Sequence, residues 1–341
     1  MQAIAELKEL LSKPKKVAIT MHFKPDADAL GSALGWSLYL QKLGHQVSVI
    51  SPSDYPKFLT WMTGNETVID YLTYANRGKA ERLLADAEVI FCLDFNALSR
   101  VHEMEKSLRN AKGIKVMIDH HLKPEDFAQI SFSDSTAAAT AQMIYKIIVA
   151  MGHQSLIDIP IAECLYAGIM TDTGSFKYDS TSPDVLRTAA DLKEIGTDTT
   201  RIHRLIYDTN TVDKLKFLGY ILSQKLVVLP EYHVAYIAVS EHELKQYNSQ
   251  TGDTEGVVNY ALSIDGIVMA VIIVDRSDMV KMSFRSINQF AVNELASKYF
   301  EGGGLRNASG GKSTIGLEKT VEKLLAILPE YQESLSQNVM K

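Results

Sequence analysis

The chain has 341 residues, of which 46% are hydrophobic and 22% are charged, and its formal net charge is −6. This length predicts two domains of ordinary size with a soluble, globular composition. The acidic balance argues against a protein that coats long nucleic acid, although a short nucleotide in a local basic pocket stays compatible with it. No apolar run approaches the roughly 20 residues that span a bilayer. We therefore predict a cytoplasmic protein with no membrane partner, and the two cysteines, in apolar runs, fit a reducing compartment.

The first half of the chain alternates strand-like and helical patterns. Apolar runs predict strands over residues 16–20, 46–50, 88–93 and 115–118. Helical spacing of leucines predicts a helix after Asp28, and further helices are predicted over residues 137–149 and 159–170. Such alternation is typical of an α/β fold with a mostly parallel, doubly wound sheet that carries helices on both faces.

The second half has a different organisation. Residues 183–226 are helical in pattern, and beyond them we predict a strand over 234–239, a helix over 255–262, a hairpin over 267–284 and a helix over 290–300. A glycine-rich segment, 302–311, is predicted to be a loop. We therefore predict a catalytic domain over 1–200. We also predict that residues 201–341 form a helical linker and a smaller α/β substrate-binding domain, with the active-site cleft between the two domains.

Imidazoles and carboxylates follow several of the predicted strands and helices. Open α/β sheets bind ligands at the edge where parallel strands end. A carboxylate directly after a buried strand costs free energy unless it pairs with or coordinates a cation. The groups that we predict to gather at this edge are His22, Asp26, Asp28, Asp94, Asp119, His120, His121 and Asp172.

Charge arithmetic predicts two metal ions at this site. Asp26, Asp28, Asp94 and Asp172 carry four negative charges, which two divalent cations would neutralise. Mixed imidazole and carboxylate ligands suit Mn²⁺, Co²⁺ or Zn²⁺ better than Mg²⁺. Two metals about 3.5–4 Å apart can activate water and stabilise both oxygens of a displacement. Phosphoester hydrolysis is the reaction class that fits this site best.

Four motifs occur in a characteristic order. They are His-x-x-Pro-Asp-x-Asp at 22–28, the isolated Asp94, Asp-His-His at 119–121 and Thr-Asp-Thr-Gly-Ser-Phe at 171–176. Together they resemble the DHH phosphoesterase superfamily, and the glycine-rich segment resembles the DHH-associated C-terminal domain. The length is similar to that of the stand-alone branch of bifunctional nanoRNases (oligoribonucleases) and 3′-phosphoadenosine 5′-phosphate phosphatases. This resemblance implies a short single-stranded RNA or nucleotide substrate, and a homodimer.

The resemblance also implies roles for individual residues. His22 and Asp26 would hold one ion, Asp28, His120 and Asp172 would hold the other, and Asp94 would bridge them. Asp119 would orient His120, and His121 would contact the scissile phosphate or protonate the leaving oxygen. In the C-terminal domain, Arg285 and Ser286 match an Arg-Ser pair after a strand, and Arg285 would bind a terminal phosphate. The glycine-rich loop would add contacts from Gly303, Gly304, Arg306, Asn307, Ala308, Ser309 and Gly310.

Other interpretations stay open. Asp26 or Asp28 taken singly is also typical of a helix N-cap, and the glycine-rich segment could be a flexible connector. The family usually has histidine where this chain has Leu305, a departure that affects substrate contacts rather than the metal ligands. Alternative functions are a cyclic or linear di-adenylate phosphodiesterase, an inorganic pyrophosphatase, which the glycine-rich segment disfavours, and a non-catalytic nucleotide-binding protein.

Overall fold

Two units make up the chain in the computed structural model, which describes residues 2–250 and 252–339. The first unit covers residues 1–209 and the second covers residues 210–341. The functional division into domains 1–200 and 201–341 stays our proposal. Among the helices of the described residues, none combines the length and the apolar character that crossing a bilayer requires.

A parallel sheet forms the centre of the first unit. Its strands run in the order β3-β2-β1-β4-β5-β6, and every neighbouring pair within the described residues is parallel. The strands are β1 Lys16–Thr20, β2 Gln46–Ser51, β3 Ile69–Asp70, β4 Val89–Leu93, β5 Ile114–Asp119 and β6 Ile130–Ser133. Because β1 lies between β2 and β4, the strand order reverses beside it, which is where open α/β sheets bind ligands.

Helices cover both faces of this sheet. Ile19 of β1 packs into a large core with α2, α5 and α6, whereas its neighbour Ala18 packs into a smaller core with α3 and α4 on the opposite face. Successive side chains of a strand point to opposite faces, so an apolar strand needs cover on both. The helices are α1 Gln2–Leu10, α2 Ala27–Lys42, α3 Tyr74–Asp86, α4 Glu105–Asn110, α5 Thr140–Ala150, α6 Ile159–Asp172, α7 Pro183–Glu194 and α8 Thr199–Tyr207.

A mixed sheet forms the second unit. Its order is β11-β12-β10-β9-β8-β7, with β8 and β9 parallel and the other described pairs antiparallel. The strands are β7 Leu226–Leu229, β8 Val234–Val239, β9 Met269–Asp275, β10 Val280–Ser286, β11 Gly303–Leu305 and β12 Ala308–Ser313. The helices are α9 Val212–Tyr220, α10 Glu241–Gln246, α11 Val257–Leu262, α12 Val292–Tyr299 and α13 Leu317–Ser336.

The predicted α/β fold class is confirmed, with three local corrections. The glycine-rich segment is a β-hairpin rather than a loop, because Gly303 pairs with Gly310 and a Cβ on Gly302 would lie only 2.1 Å from the Gly310 carbonyl oxygen. The helix predicted from residue 137 begins at Thr140, since Ala139 is extended. Arg285 and Ser286 are the last residues of β10 rather than residues that follow a strand.

Candidate metal centre

The loop between β1 and α2 carries the first group of polar side chains. Asp26 is the N-cap of α2, and its Oδ1 accepts hydrogen bonds from the amides of Asp28 and Ala29 at 3.0 and 3.1 Å. This capping satisfies amides that the helix itself leaves unbonded. The Nε2 of His22 lies 3.9 Å from the same Asp26 oxygen. The cap therefore holds Asp26 beside His22.

Backbone carbonyls set the orientation of two imidazoles. The Nδ1 of His22 lies 2.9 Å from the Phe23 carbonyl oxygen, and the Nδ1 of His120 lies 3.2 Å from the Ala137 carbonyl oxygen. A carbonyl can only accept, so each Nδ1 donates a proton to it and each Nε2 faces the carboxylates of the cluster. Metal-binding histidines in proteins are commonly oriented in this way.

Asp94 lies between these two imidazoles. It directly follows β4, has a left-handed φ of 61° and is 2% exposed. Its Oδ2 lies 3.4 Å from His22 Nε2, and its Oδ1 lies 3.5 Å from His120 Nε2. Thr140 Oγ1 donates a 2.9 Å hydrogen bond to Asp94 Oδ1. A strained backbone conformation persists only where its surroundings hold it, and here those surroundings are polar groups that converge on one carboxylate.

The N-terminus of α5 fixes Asp28. Its two carboxylate oxygens accept the amides of Thr140 and Ala141 at 2.7 and 2.8 Å, and the side chain is completely buried. A carboxylate at this end of a helix is stabilised by the helix dipole. Gly168 of α6 lies against Asp28, because a Cβ at Gly168 would come within 2.6 Å of Asp28 Oδ1. The position of Asp28 thus depends on contacts with both helices.

The polar groups form overlapping sets whose ligand atoms lie within 4.8 Å of one another. One set is His22, Asp26 and Asp94; a second is Asp28, His120 and Asp172; a third is Asp94, His120 and His121. Nitrogen and oxygen ligands lie about 2.0–2.2 Å from an ion such as Zn²⁺, so two ligands of one ion are about 3.0–3.5 Å apart.

The distances from Asp94 to the two imidazoles, and the 3.5 Å from His120 Nε2 to Asp172 Oδ2, fall at or near this range. The donor set therefore fits divalent cations.

Electrostatics in the cluster also favour cations. Burial raises the pKa of Asp28 to about 8, and the charge of Asp94 adds to that effect. Burial would lower the pKa of His22, but its hydrogen bond to Asp94 and the charges of Asp26 and Asp94 outweigh this and raise the pKa to about 9. Burial opposes ionisation of Asp94 as well, yet the neighbouring imidazoles hold its pKa well below the usual range. Buried carboxylates packed this closely repel one another unless positive charge separates them.

Asp119 does not orient His120, so that prediction is wrong. Its Oδ1 accepts from His121 Nδ1 and its Oδ2 accepts from the His121 amide, both at 2.8 Å. Asp119 is completely buried at the end of β5, and its carboxylate contacts His121, two positions later in the chain. The orientation of His120 comes instead from the Ala137 carbonyl. Asp119 therefore determines the orientation of His121, and the Nδ1–H of that imidazole is committed to Asp119.

Several of the predicted substrate-binding residues of the second unit take part in a hydrogen-bonded turn. Ser286 Oγ donates to the Phe290 carbonyl oxygen at 2.6 Å, and Asn307 Nδ2 donates to Ser286 Oγ at 2.8 Å. Arg306 donates to the Gln289 side chain. Arg285 is half-buried on β10, in register with Ala308 on β12. The remaining predicted residues, Gly303, Gly304, Ser309 and Gly310, belong to the hairpin of β11 and β12.

Sequence reasoning missed two residues of the cluster. Thr140 contacts both Asp28 and Asp94, but a helix predicted from residue 137 places it in the helix interior. The non-helical Ala137–Ala139 run has no helix-breaking residue that would have revealed this. Gly168 allows α6 to approach Asp28, and a glycine inside an otherwise apolar helical pattern was an available signal for such a close contact.

Comparisons with known proteins agree with this architecture. The model of the DHH family N-terminal domain matches residues 16–169, and the model of the DHHA1 domain matches residues 230–334. The chain is 28% identical to the bifunctional oligoribonuclease and PAP phosphatase NrnA of Thermus thermophilus, over 97% of this chain and 94% of that protein.

Two other proteins are similar over most of the chain. A solved structure of an exopolyphosphatase-related protein from Bacteroides fragilis has a TM-score of 0.92 and 36% identity, covering 98% of this chain and 97% of the other. The cyclic-di-AMP phosphodiesterase GdpP of Bacillus subtilis is 26% identical over 96% of this chain but only 49% of its own length. The two domain matches and this near full-length similarity establish that the chain belongs to the DHH family and carries a DHHA1 domain.

Proposed function

We propose that this chain is a two-metal phosphoesterase that hydrolyses very short oligoribonucleotides to mononucleotides and dephosphorylates 3′-phosphoadenosine 5′-phosphate. The observation that carries the proposal is Asp94, whose two oxygens face the imidazoles of two different ligand sets. The name of the Thermus thermophilus relative, which is similar over almost its whole length, supports the substrate class.

In this proposal, six side chains hold two divalent ions, with Mn²⁺ as the preferred metal. They are His22, Asp26, Asp28, Asp94, His120 and Asp172. Two ions bound there would supply an activated water and would stabilise negative charge on the phosphate oxygens. The donor set of imidazoles and carboxylates supports Mn²⁺ over Mg²⁺, which prefers oxygen ligands alone.

His121 and Asp119 have a separate role in the proposed reaction. Because Nδ1–H of His121 is donated to Asp119, Nε2 is the nitrogen that can give a proton to the leaving oxygen. The charge of Asp119 stabilises the protonated imidazole that this step requires. In the second unit, Arg285 would bind a substrate phosphate through its planar guanidinium, which matches phosphate oxygens in pairs.

A phosphodiesterase acting on cyclic or linear di-adenylate is the second candidate, and the similarity to GdpP favours it. We would compare hydrolysis of linear di-adenylate, a five-nucleotide RNA, cyclic di-AMP and 3′-phosphoadenosine 5′-phosphate in Mn²⁺, with Asp94→Asn as the control. We expect turnover of the linear dinucleotide and of the bisphosphate, and loss of both in the variant. Turnover of cyclic or linear di-adenylate without turnover of the bisphosphate or the five-nucleotide RNA would favour the second candidate, and no turnover of any substrate would contradict the proposal.

A cytoplasmic location and a homodimer remain predictions from the sequence. Sedimentation equilibrium on the purified chain tests the second of these. A mass of twice 37.8 kDa is expected for the homodimer, and a single-chain mass would contradict it.

A further inference from the structure

The loop that carries His22 is held by the segments that follow both neighbouring strands. The amide of Phe23 donates a 2.8 Å hydrogen bond to the carbonyl oxygen of Arg100, in the segment after β4. The amide of Lys24 donates a 2.8 Å hydrogen bond to Ser53 Oγ, in the segment after β2. Lys24 has a left-handed φ of 54°, so the chain turns sharply directly after Phe23. The backbone around Phe23 therefore depends on contacts with residues that are distant in sequence.

The ring of Phe23 makes a further contact with the segment after β4. It stacks on the imidazole of His102, with the ring centroids 4.1 Å apart and the ring planes at 21°. Aromatic pairs in proteins usually have centroids about 4.5–7 Å apart, so this stack is close as well as nearly parallel. Phe23 is half-buried and His102 is exposed, which places the stack outside the hydrophobic core. The two rings join the loop of His22 to the segment after β4.

His102 adopts a backbone conformation that histidine rarely takes. Its φ is 48° and its ψ is −121°, and the short 3₁₀ helix Leu98–Met104 is kinked at this residue. This combination lies outside the regions that are ordinarily open to L-residues, and it persists only where the surroundings hold it. Glycine would adopt this backbone at little cost, but it has no ring to place against Phe23. A side chain at this position therefore serves a contact that glycine cannot make, and the stack is such a contact.

Phe23 connects this stack to a proposed metal ligand. Its carbonyl oxygen lies 2.9 Å from His22 Nδ1 and so orients the imidazole. The Nε2 of the same imidazole lies 3.4 Å from Asp94 Oδ2 and 3.9 Å from Asp26 Oδ1, and these three side chains form one ligand set. A displacement of the Phe23 carbonyl would therefore move the His22 ring relative to both carboxylates.

We propose that Phe23 and His102 are positioning residues, which act through their ring stack to hold His22 at one of the two proposed metal sites. This inference rests on the proposed function and deepens it, because it assigns the geometry of one ligand set to a pair of aromatic rings. The second ligand set is held differently, since the Ala137 carbonyl orients His120. Loss of the stack should therefore weaken the binding of one ion and leave the binding of the other unchanged.

Calorimetric titration of the metal-free full chain with Mn²⁺ tests this proposal. His102→Gly removes the ring but relieves the backbone strain, so the melting temperature should change by no more than about 4 °C. One of the two Mn²⁺ dissociation constants should rise about 3- to 10-fold, less than the 10- to 100-fold typical of a group that contacts the ligand itself. His102→Phe keeps an aromatic ring, and both constants should stay at their wild-type values.

Phe23→Leu examines the pair from the other side. This variant keeps an apolar side chain but cannot stack, so it should raise the same dissociation constant. If the two rings act together, the double variant Phe23→Leu/His102→Gly should lose no more affinity than the more affected single variant. The matched control is Ser277→Gly, which places glycine at an exposed residue of the second unit with a φ of 70°. The control should leave both constants unchanged.

Three results would overturn the proposal: unchanged constants in a folded single variant, additive losses in the double variant, or an equal loss in His102→Phe or the control. Should His102→Gly fail to fold, Phe23→Leu decides the test. If wild-type protein hydrolyses none of the proposed substrates while the constants follow the expected pattern, the positioning role stands and the proposed function fails. If hydrolysis occurs and the constants do not change, the function stands and the positioning role fails.

Discussion

Substituting Gly168 by alanine tests whether helix packing positions the proposed metal ligand Asp28. A Cβ at Gly168 would lie 2.6 Å from Asp28 Oδ1, 2.8 Å from Ala141 Cβ and 3.0 Å from Asp28 Cα. These neighbours are a buried carboxylate, the start of α5 and the backbone of α2, so none can move without disturbing the cluster. We expect Gly168→Ala to displace the Asp28 carboxylate.

The magnitude follows from two opposing terms. Alanine gains about 1 kcal/mol over glycine inside a helix, whereas overpacking a close-packed site costs about 1–3 kcal/mol and more where several contacts clash. The three short contacts place this site at the upper end of that range, so the net loss is about 2 kcal/mol, which lowers the melting temperature of a unit of this size by roughly 4–8 °C. Mutation of a group that orients a metal ligand typically lowers activity by about 10- to 100-fold. We expect the activity of Gly168→Ala to fall in that range at limiting Mn²⁺.

Gly78→Ala is the matched control. Gly78 is exposed in α3, and a Cβ there would meet no atom within 4 Å. This variant should be more stable by up to about 1 kcal/mol and should keep its activity. Thermal unfolding and hydrolysis of linear di-adenylate over a Mn²⁺ titration measure both effects. A Gly168→Ala protein with wild-type stability and wild-type activity at every Mn²⁺ concentration would refute the reasoning.

Two further predictions concern single carboxylates. Asp119→Asn keeps the shape of the side chain but removes the charge beside His121, so kcat should fall about 10- to 100-fold while Mn²⁺ binding is retained. Steady-state kinetics measures the first effect and calorimetry the second. An unchanged kcat would contradict this prediction. Burial would raise the pKa of Glu243, but hydrogen bonds that include the Ser240 amide and Lys225 lower it to about 2. A glutamate whose pKa is lowered in the folded state stabilises the protein at pH values above about 4.3, its usual pKa. This stabilisation is lost as the pH falls towards 2. Glu243→Gln should therefore lower the free energy of unfolding at pH 7 by on the order of 2 kcal/mol, after allowance for solvent screening. Urea unfolding should show that this loss becomes progressively smaller as the pH falls below 4. A loss that does not depend on pH would exclude this account.

The proximity of the cluster residues could be predicted from the sequence, because neighbouring parallel strands end at the same edge of the sheet. His22 and Asp94 follow neighbouring parallel strands, and Asp119 ends the next one, so their proximity follows from the order of the sheet. Which hydrogen bonds these residues make could not be predicted. The orientation of His120 depends on the Ala137 carbonyl, a contact across 17 positions that local pattern does not encode.

Tertiary contacts also explain the remaining errors. The start of α5 is capped by Asp28 from another helix, so no capping residue in the local sequence marks Thr140. The glycine-rich segment has weak strand propensity, and it forms a hairpin because β10 pairs with β12. Gly311 packs against Phe300 in a space that a side chain would fill, which favours glycine there for packing rather than for mobility.

The number of metal ions bound per chain tests the central claim most directly. Equilibrium dialysis against Mn²⁺, followed by elemental analysis, should give two ions per wild-type chain. Asp94→Asn removes a carboxylate that faces both ligand sets, so it should bind fewer than two ions at the same free Mn²⁺. A wild-type chain that binds fewer than two Mn²⁺ ions at saturation, or an Asp94→Asn chain that binds two ions with wild-type affinity, would contradict the proposed two-metal site.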